Sequence, residues 1–152
     1  MDEKRYTLMV VEDDTGEVLL IQRAFEKARV VSPVQIISDG EEAVAYLSGQ
    51  GKYADRQVYP LPSLLILDLK LPRRSGFEVL QWLRAQPGLK RLPVVVLTAS
   101  ALISDINRAY DLGVNSYLVK PVRLEELKSM VELVYLYWLG FNYKPEVAQL
   151  AS

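Results

Sequence analysis

Short runs of consecutive apolar residues alternate with longer amphipathic stretches along most of this chain. The run YTLMVV (6–11) is too uniformly apolar for a half-exposed strand and predicts one buried on both faces. Behind it, in GEVLLIQRAFEKAR (16–29), Val18, Leu19, Ile21, Phe25 and Ala28 recur at helical spacing and predict a helix with a broad apolar face. The same alternation predicts a strand over 34–37 and a helix over 41–48, a strand over 64–69 and a helix over 76–86, then a strand over 94–100 and a short helix over 105–112. A strand over 116–120 and a final helix from Leu124 to about Leu139 complete the series. Between 49 and 62 a mixture of Gly, Pro and polar residues reads as one long loop. Apolar strands separated by helices imply an α/β fold, a parallel sheet covered on both faces.

That frame makes the polar exceptions informative, because ligands of an open parallel sheet collect beyond the carboxyl ends of its strands. Glu12, Asp13 and Asp14 follow the first strand, Asp68 lies between Leu67 and Leu69 near the end of the third, Thr98 is in the fourth and Lys120 closes the fifth. Ordinary readings exist for most of them. Asp13 or Asp14 could cap the following helix, the reading favoured for Asp14, while Thr98 suits any strand and Lys120 a solvated strand end. Asp68 is harder to explain away, since a carboxylate in a buried apolar strand is expensive unless it has a partner. If Glu12, Asp13 and Asp68 converge, two carboxylates about 5 Å apart repel by roughly 3 kcal/mol at an effective dielectric of about 20, and the cluster wants a cation.

Composition narrows which cation and which chemistry. The chain has no His and no Cys, which removes imidazole bases, Ser-His-Asp triads, thiolate nucleophiles and disulfides, and leaves an all-oxygen site suited to Mg²⁺ (or Mn²⁺). Magnesium takes a few carboxylates together with waters and phosphate oxygens. The cluster therefore points to phosphoryl chemistry, with Asp68 as nucleophile and Lys120 offsetting charge on the transferring oxygens. With 152 residues, 50% of them hydrophobic, the chain suits one domain with one core. Its 18 basic and 19 acidic residues give a net charge of -1, no field to attract nucleic acid or an anionic membrane. The apolar run at the N-terminus is too short for a signal peptide or a span, so a soluble, cytoplasmic protein is expected, with neither nucleic acid nor membrane as a partner.

The segments VVEDD, LILDLKLPRRSG, VVVLTAS and SYLVKP, in this order, resemble the receiver domain of two-component response regulators, the CheY-like fold. The resemblance covers about 5–139 and leaves 140–152 as a C-terminal tail. It implies a doubly wound, flavodoxin-like five-stranded parallel sheet in the order 2-1-3-4-5 flanked by five helices. It also implies that Asp68 accepts a phosphoryl group from a phosphohistidine on a sensor histidine kinase. Carried over by position, Glu12, Asp13, Asp68 and the backbone carbonyl of Lys70 would hold the metal. Thr98 and Lys120 would contact the phosphoryl oxygens, Tyr117 would be the switch aromatic, Ala99 a small residue beside the phosphate, and the Lys120–Pro121 bond cis. Thr98 drawn inward by the added charge would free a space for Tyr117 and change the surface over about 105–139. Such a protein catalyses only its own phosphorylation and dephosphorylation and is not an enzyme on external substrates.

Two features depart from that pattern or add to it. The 49–62 loop is long, and Lys70 is basic where relatives carry a shorter polar residue. So few residues follow Lys120 that a stand-alone receiver is expected. In the final helix, Leu124, Leu127, Val131, Val134 and Trp138 make a core stripe, leaving Met130, Leu133, Leu136, Tyr137 and Phe141 in surplus. A second copy of the chain or the folded-back tail could cover them, and a homodimer through the last helix and tail is the expectation. The segment YWLGFNYKP also resembles the tail of small response regulators associated with cyanobacterial phytochromes, which implies a phytochrome kinase as partner. Two rival functions stay in view. A degenerate receiver would bind partners without phosphorylation, and a Mg²⁺-dependent phosphohydrolase of the haloacid dehalogenase class would want a second acid where Lys70 stands.

Overall fold

The computed structural model describes residues 6–148. Strands β1 (Leu8–Val11), β2 (Val34–Ile37), β3 (Leu64–Leu67), β4 (Val94–Thr98) and β5 (Ser116–Val119) form one parallel sheet in the order β2-β1-β3-β4-β5. Helices α1 (Thr15–Lys27), α2 (Gly40–Ser48), α3 (Gly76–Arg84), α4 (Ile103–Asp111) and α5 (Leu124–Tyr135) make the connections. The doubly wound α/β fold is as expected, because every residue of β1, β3 and β4 is buried and demands a helix layer on each side. Alternate residues supply the two layers. Leu8, Val10, Leu64, Ile66, Val95 and Leu97 face α1 and α5, while Met9, Val11, Leu65, Leu67, Val94 and Val96 face α2, α3 and α4.

Strand ends differ from expectation in a way that matters for the site. The ladder of β3 stops at Leu67, where its register partners Val11 and Val96 are reached, so Asp68 stands just past the sheet rather than within it. Lys120 likewise follows the last paired residue of β5, its N–H donating to the Thr98 carbonyl at 2.7 Å. At the other edge β1 begins at Leu8, not Tyr6, because the chain there turns to let the Thr7 carbonyl accept from Ser63 N–H at 2.9 Å. Asp14 caps α1 as favoured, its carboxylate accepting from the Glu17 N–H at 3.0 Å.

The final helix carries the predicted core stripe and widens it: Leu124, Val134 and Trp138 pack partly buried against the cluster that holds Leu127 and Val131. Leu127, Val131, Tyr135 and Leu139 are the buried positions, each four residues after the last, and α5 runs on as a π-helical segment, Leu136–Phe141. Tyr135 adjoins Val134 on that face within the α-helix, and the widened i→i+5 turn after it brings Leu139 into the same layer. Tyr135 tolerates its burial because its hydroxyl meets Ser32 Oγ and the Val31 N–H, both at 3.3 Å.

The expected loop over 49–62 is a built structure. It contains a 3₁₀ turn, Gly51–Ala54, whose Tyr53 is buried and packs with Tyr46 and Tyr59 at ring-centroid distances of 5.0 Å each. Arg56 donates to the carbonyls of Tyr46 (2.7 Å), Leu47 (3.0 Å) and Tyr59 (3.1 Å), capping the end of α2 where helical carbonyls lack partners. Beyond α5 the described part of the tail, up to residue 148, leaves the helix. Lys144 lies 4.3 Å from the Tyr6 ring centroid, Val147 packs on the α2–α3 side of the core and the Ala148 N–H donates to Gly88 at 2.7 Å. It therefore crosses under the amino ends of the strands. Positions 149–152 of the tail, and residue 5 of the expected domain, lie outside the described residues.

Candidate functional site

Three strand ends bring the site together. The Glu12 N–H donates to Ile37 at 2.9 Å, the Asp68 N–H to Val11 at 3.1 Å and the Lys120 N–H to Thr98, so main-chain bonds alone set the side chains at one edge of the sheet. Glu12 is 2% exposed, Asp68 7% and Thr98 1%, all far more buried than these residue types usually are. Lys120 reconciles the two acids: its Nζ contacts Glu12 Oε1 and stands 2.9 Å from Asp68 Oδ2. Glu12 Oε2 also accepts from the Asp14 N–H at 3.1 Å, and Asp68 Oδ1 from the N–H groups of Leu69 (2.6 Å) and Lys70 (3.4 Å). Glu17 lies further out, 3.9 Å from Lys120.

Two carboxylates sharing one ammonium cannot titrate alike. Burial pushes Glu12 up to about 7, against the pull of Lys120 and with the neighbouring Asp68 adding to the rise. For Asp68 burial works in the same upward direction, but hydrogen bonds from Lys120, Glu12 and Thr98 outweigh it and hold the carboxyl below its ordinary value. Lys120 is disfavoured by burial and yet raised overall by the two acids. Asp68 and Lys120 are thus held charged near neutral pH, and Glu12 is the acid that takes up a proton first. Asp68 is the ionised acid of the pair, with donors on both oxygens.

Of the expected residues, Glu12, Asp68, Thr98 and Lys120 converge, and Asp13 does not join them. Asp13 is exposed at the same edge, and among the described residues no three acidic side chains form a ready-made cation cluster. Lys70 is exposed beside the site, and Ala99 is exposed next to Thr98. Tyr117 is half-buried and its hydroxyl donates to the Ser100 carbonyl at 2.9 Å, tying the β5 aromatic to the segment after Thr98. Ser100 in turn donates to Asp105 at 2.6 Å in the first turn of α4, an anchor with no recognisable sequence signal. The Lys120–Pro121 bond is trans, contrary to expectation; among the described residues no peptide is cis, and trans is the favoured isomer of an X–Pro bond by about 0.5–1 kcal/mol.

A scan of protein families matches residues 8–132 to the response regulator receiver domain. The chain belongs to that family. Among curated relatives, this receiver is 40% identical to the probable methanogenesis regulatory protein FilR2 of Methanothrix harundinacea, over 94% of its own length and 90% of that protein's. It is 39% identical to the response regulator Rcp1 of Synechocystis, over 87% and 88% of the two chains. Among solved structures it matches the phosphorylated cyanobacterial phytochrome response regulator RcpA with a TM-score of 0.85 and 39% identity, covering 93% of this chain and 99% of that one. The Mn²⁺-bound form of Rcp1 matches with a TM-score of 0.82 and 37% identity, over 92% and 99%. The receiver's own donor set fits such an ion: all oxygen, with no imidazole or thiolate, two buried acids and a third, exposed one adjacent in sequence. No helix among the described residues is long and apolar enough to cross a membrane.

Proposed function

We propose that this receiver accepts a phosphoryl group on Asp68 from the phosphohistidine of a sensor histidine kinase, a phytochrome, and that the modification switches a protein-binding surface. The observation that carries the reading is the carboxylate of Asp68 standing just beyond β3, buried yet ionised, with Lys120 and Thr98 converging on it. In the transfer an Asp68 oxygen attacks phosphorus, the P–N bond breaks, and the imidazole leaves with its electron pair. Lys120 meets the negative charge on the phosphoryl oxygens and Thr98 supplies a hydroxyl to one of them. Glu12, Asp13, Asp68 and the Lys70 carbonyl would hold Mg²⁺ or Mn²⁺, which supplies charge neutralisation for the transferring group. Hydrolysis of the aspartyl phosphate resets the same site, so the chain turns over no external substrate.

Incubation with acetyl phosphate and Mg²⁺ should add one phosphoryl group by intact mass, absent in Asp68→Asn. Steady release of phosphate from small phosphoesters would instead favour a phosphohydrolase, and no adduct at all a phosphorylation-independent binding module. Phytochrome as donor is supported by the likeness to Rcp1 and RcpA; transfer from a purified cyanobacterial phytochrome kinase that differs between red and far-red light tests it.

The output surface takes a second copy of the chain. Leu133, Leu136, Tyr137 and Phe141 are 49–71% exposed along one side of the last helix, and the tail crosses elsewhere. Beside them a groove of about 660 Å³ runs between β5 and α5, lined by Leu118, Met130, Leu133 and Val134 together with Arg123, Glu125, Glu126 and Ser129. A homodimer through the last helix supports both, and with a kinase and a second receiver as partners the chain acts in the cytoplasm without contacting nucleic acid.

A further inference from the structure

The loop after Asp68 is fastened to the first turn of α2 by contacts that touch neither Asp68 nor Lys120. Arg74 Nε donates to Glu41 Oε1 at 2.9 Å, and Arg73 Nη2 lies 3.2 Å from Asp39 Oδ2. Between the two pairs the backbones meet: a Cβ on Gly40 would stand 1.9 Å from the Arg74 carbonyl oxygen, and the Gly40 N–H reaches the Pro72 carbonyl at 3.4 Å. Asp39 is itself held in place as the cap of α2, accepting from the Glu42 N–H at 2.7 Å. Arg73 has a φ of 65°, a left-handed conformation that a non-glycine residue keeps only where its surroundings enforce it. At the root of the same loop, the Leu69 and Lys70 N–H groups hold Asp68 Oδ1, and the Leu69 carbonyl accepts from the Gly76 N–H at 2.9 Å. A short segment pinned at its start, middle and end has little freedom to move the Lys70 backbone.

We infer that the Asp39–Arg73 and Glu41–Arg74 pairs are a latch that positions the Lys70 backbone, and thereby sets divalent-cation affinity and the lifetime of a phosphoryl group on Asp68. The cation and phosphoryl half rests on the function proposed above; the latch itself rests only on the fold. All four side chains are positioning residues. Arg73 is 59% exposed and Arg74 28%, so each pair is weak alone and open to screening by salt, and the effect comes from two pairs acting on one short loop.

The test uses the full chain and three readouts: amide hydrogen exchange over 69–75 without cation, Mn²⁺ affinity by titration, and decay of the acetyl-phosphate adduct. In Arg74→Glu the loop amides should exchange faster and Mn²⁺ should bind about 3–10-fold more weakly, the scale set by loss of one or two surface pairs. The swap Glu41→Arg with Arg74→Glu should restore both to within about twofold, and salt at about 0.5 M should move the wild type toward the single variant. Unchanged exchange and affinity in Arg74→Glu, or a swap as loose as the single variant, would overturn the latch. Should Arg74→Glu not fold, Arg74→Met and the swap decide between the same two outcomes. A wild type that takes up neither Mn²⁺ nor phosphate ends the phosphorylation reading, while loop exchange still judges the latch.

Discussion

Glu12 titrates near 4.5 when unfolded and is pushed up to about 7 by burial in the native site. Between those values the folded chain keeps a proton that the unfolded chain has released, so native stability falls as pH rises through the window. The contribution is complete below about 4.5 and gone above about 7 and amounts to at most roughly 3 kcal/mol at 1.36 kcal/mol per unit. Urea denaturation in steps across that range, without divalent cation, should show the decline, and Glu12→Gln should flatten it. Asp68 runs the other way: held below its ordinary 3.8, it stabilises above that pH and its share is lost as acid protonates it. Lys120 is the counter-ion of both. Lys120→Met should cost about 3–5 kcal/mol at pH 7 by leaving two buried acids without their cation, unless added Mg²⁺ restores part of it. Glu12, Asp68, Thr98 and Lys120 were all legible as polar residues at the ends of apolar runs. The exposure of Asp13 was not, because it depends on how three separate strand ends meet and not on the local pattern.

Helices and loops hold the site in position through their ends. Gly76 opens α3 where a Cβ would lie 2.1 Å from the Asp68 carbonyl oxygen, so Gly76→Ala must push the α3 start away from the phosphoacceptor. We expect it to lower stability by about 2 kcal/mol or more and to reduce acetyl-phosphate labelling at the same time, which a thermal melt and intact mass read together. At the far end of α2, Arg56→Ala should cost about 1–3 kcal/mol, since it leaves the Tyr46, Leu47 and Tyr59 carbonyls without their guanidinium donors. Here the sequence pattern was least informative. Gly, Pro and polar residues marked 49–62 as a loop, but the Tyr46–Tyr53–Tyr59 cluster joins a helix to residues beyond it, a contact no local periodicity encodes. The stripe of the last helix was legible, since Leu124, Leu127, Val131, Val134 and Trp138 all pack on the core; what the pattern did not carry is the π segment that adds Leu139 to it.

On the scale of the molecule, the exposed apolar side of the last helix makes oligomeric state the property to measure. Leu136→Glu combined with Phe141→Glu places charge on two exposed apolar positions and should convert a dimer to a monomer in sedimentation velocity with little change in melting temperature. An unaltered sedimentation coefficient would remove the last helix from the interface. Apolar strands alternating with helices required a parallel sheet with two helical layers, and the acids, hydroxyl and lysine at the strand ends required a polar edge, because burial and charge leave a chain of this pattern few alternatives. Those outcomes depend on residue type and spacing, which the chain carries in itself. Which acids share Lys120, where the tail crosses and how the loop after Asp68 is fastened to α2 were decided only when distant segments met. Each depends on distances between residues far apart in the chain, and a one-dimensional pattern does not contain them.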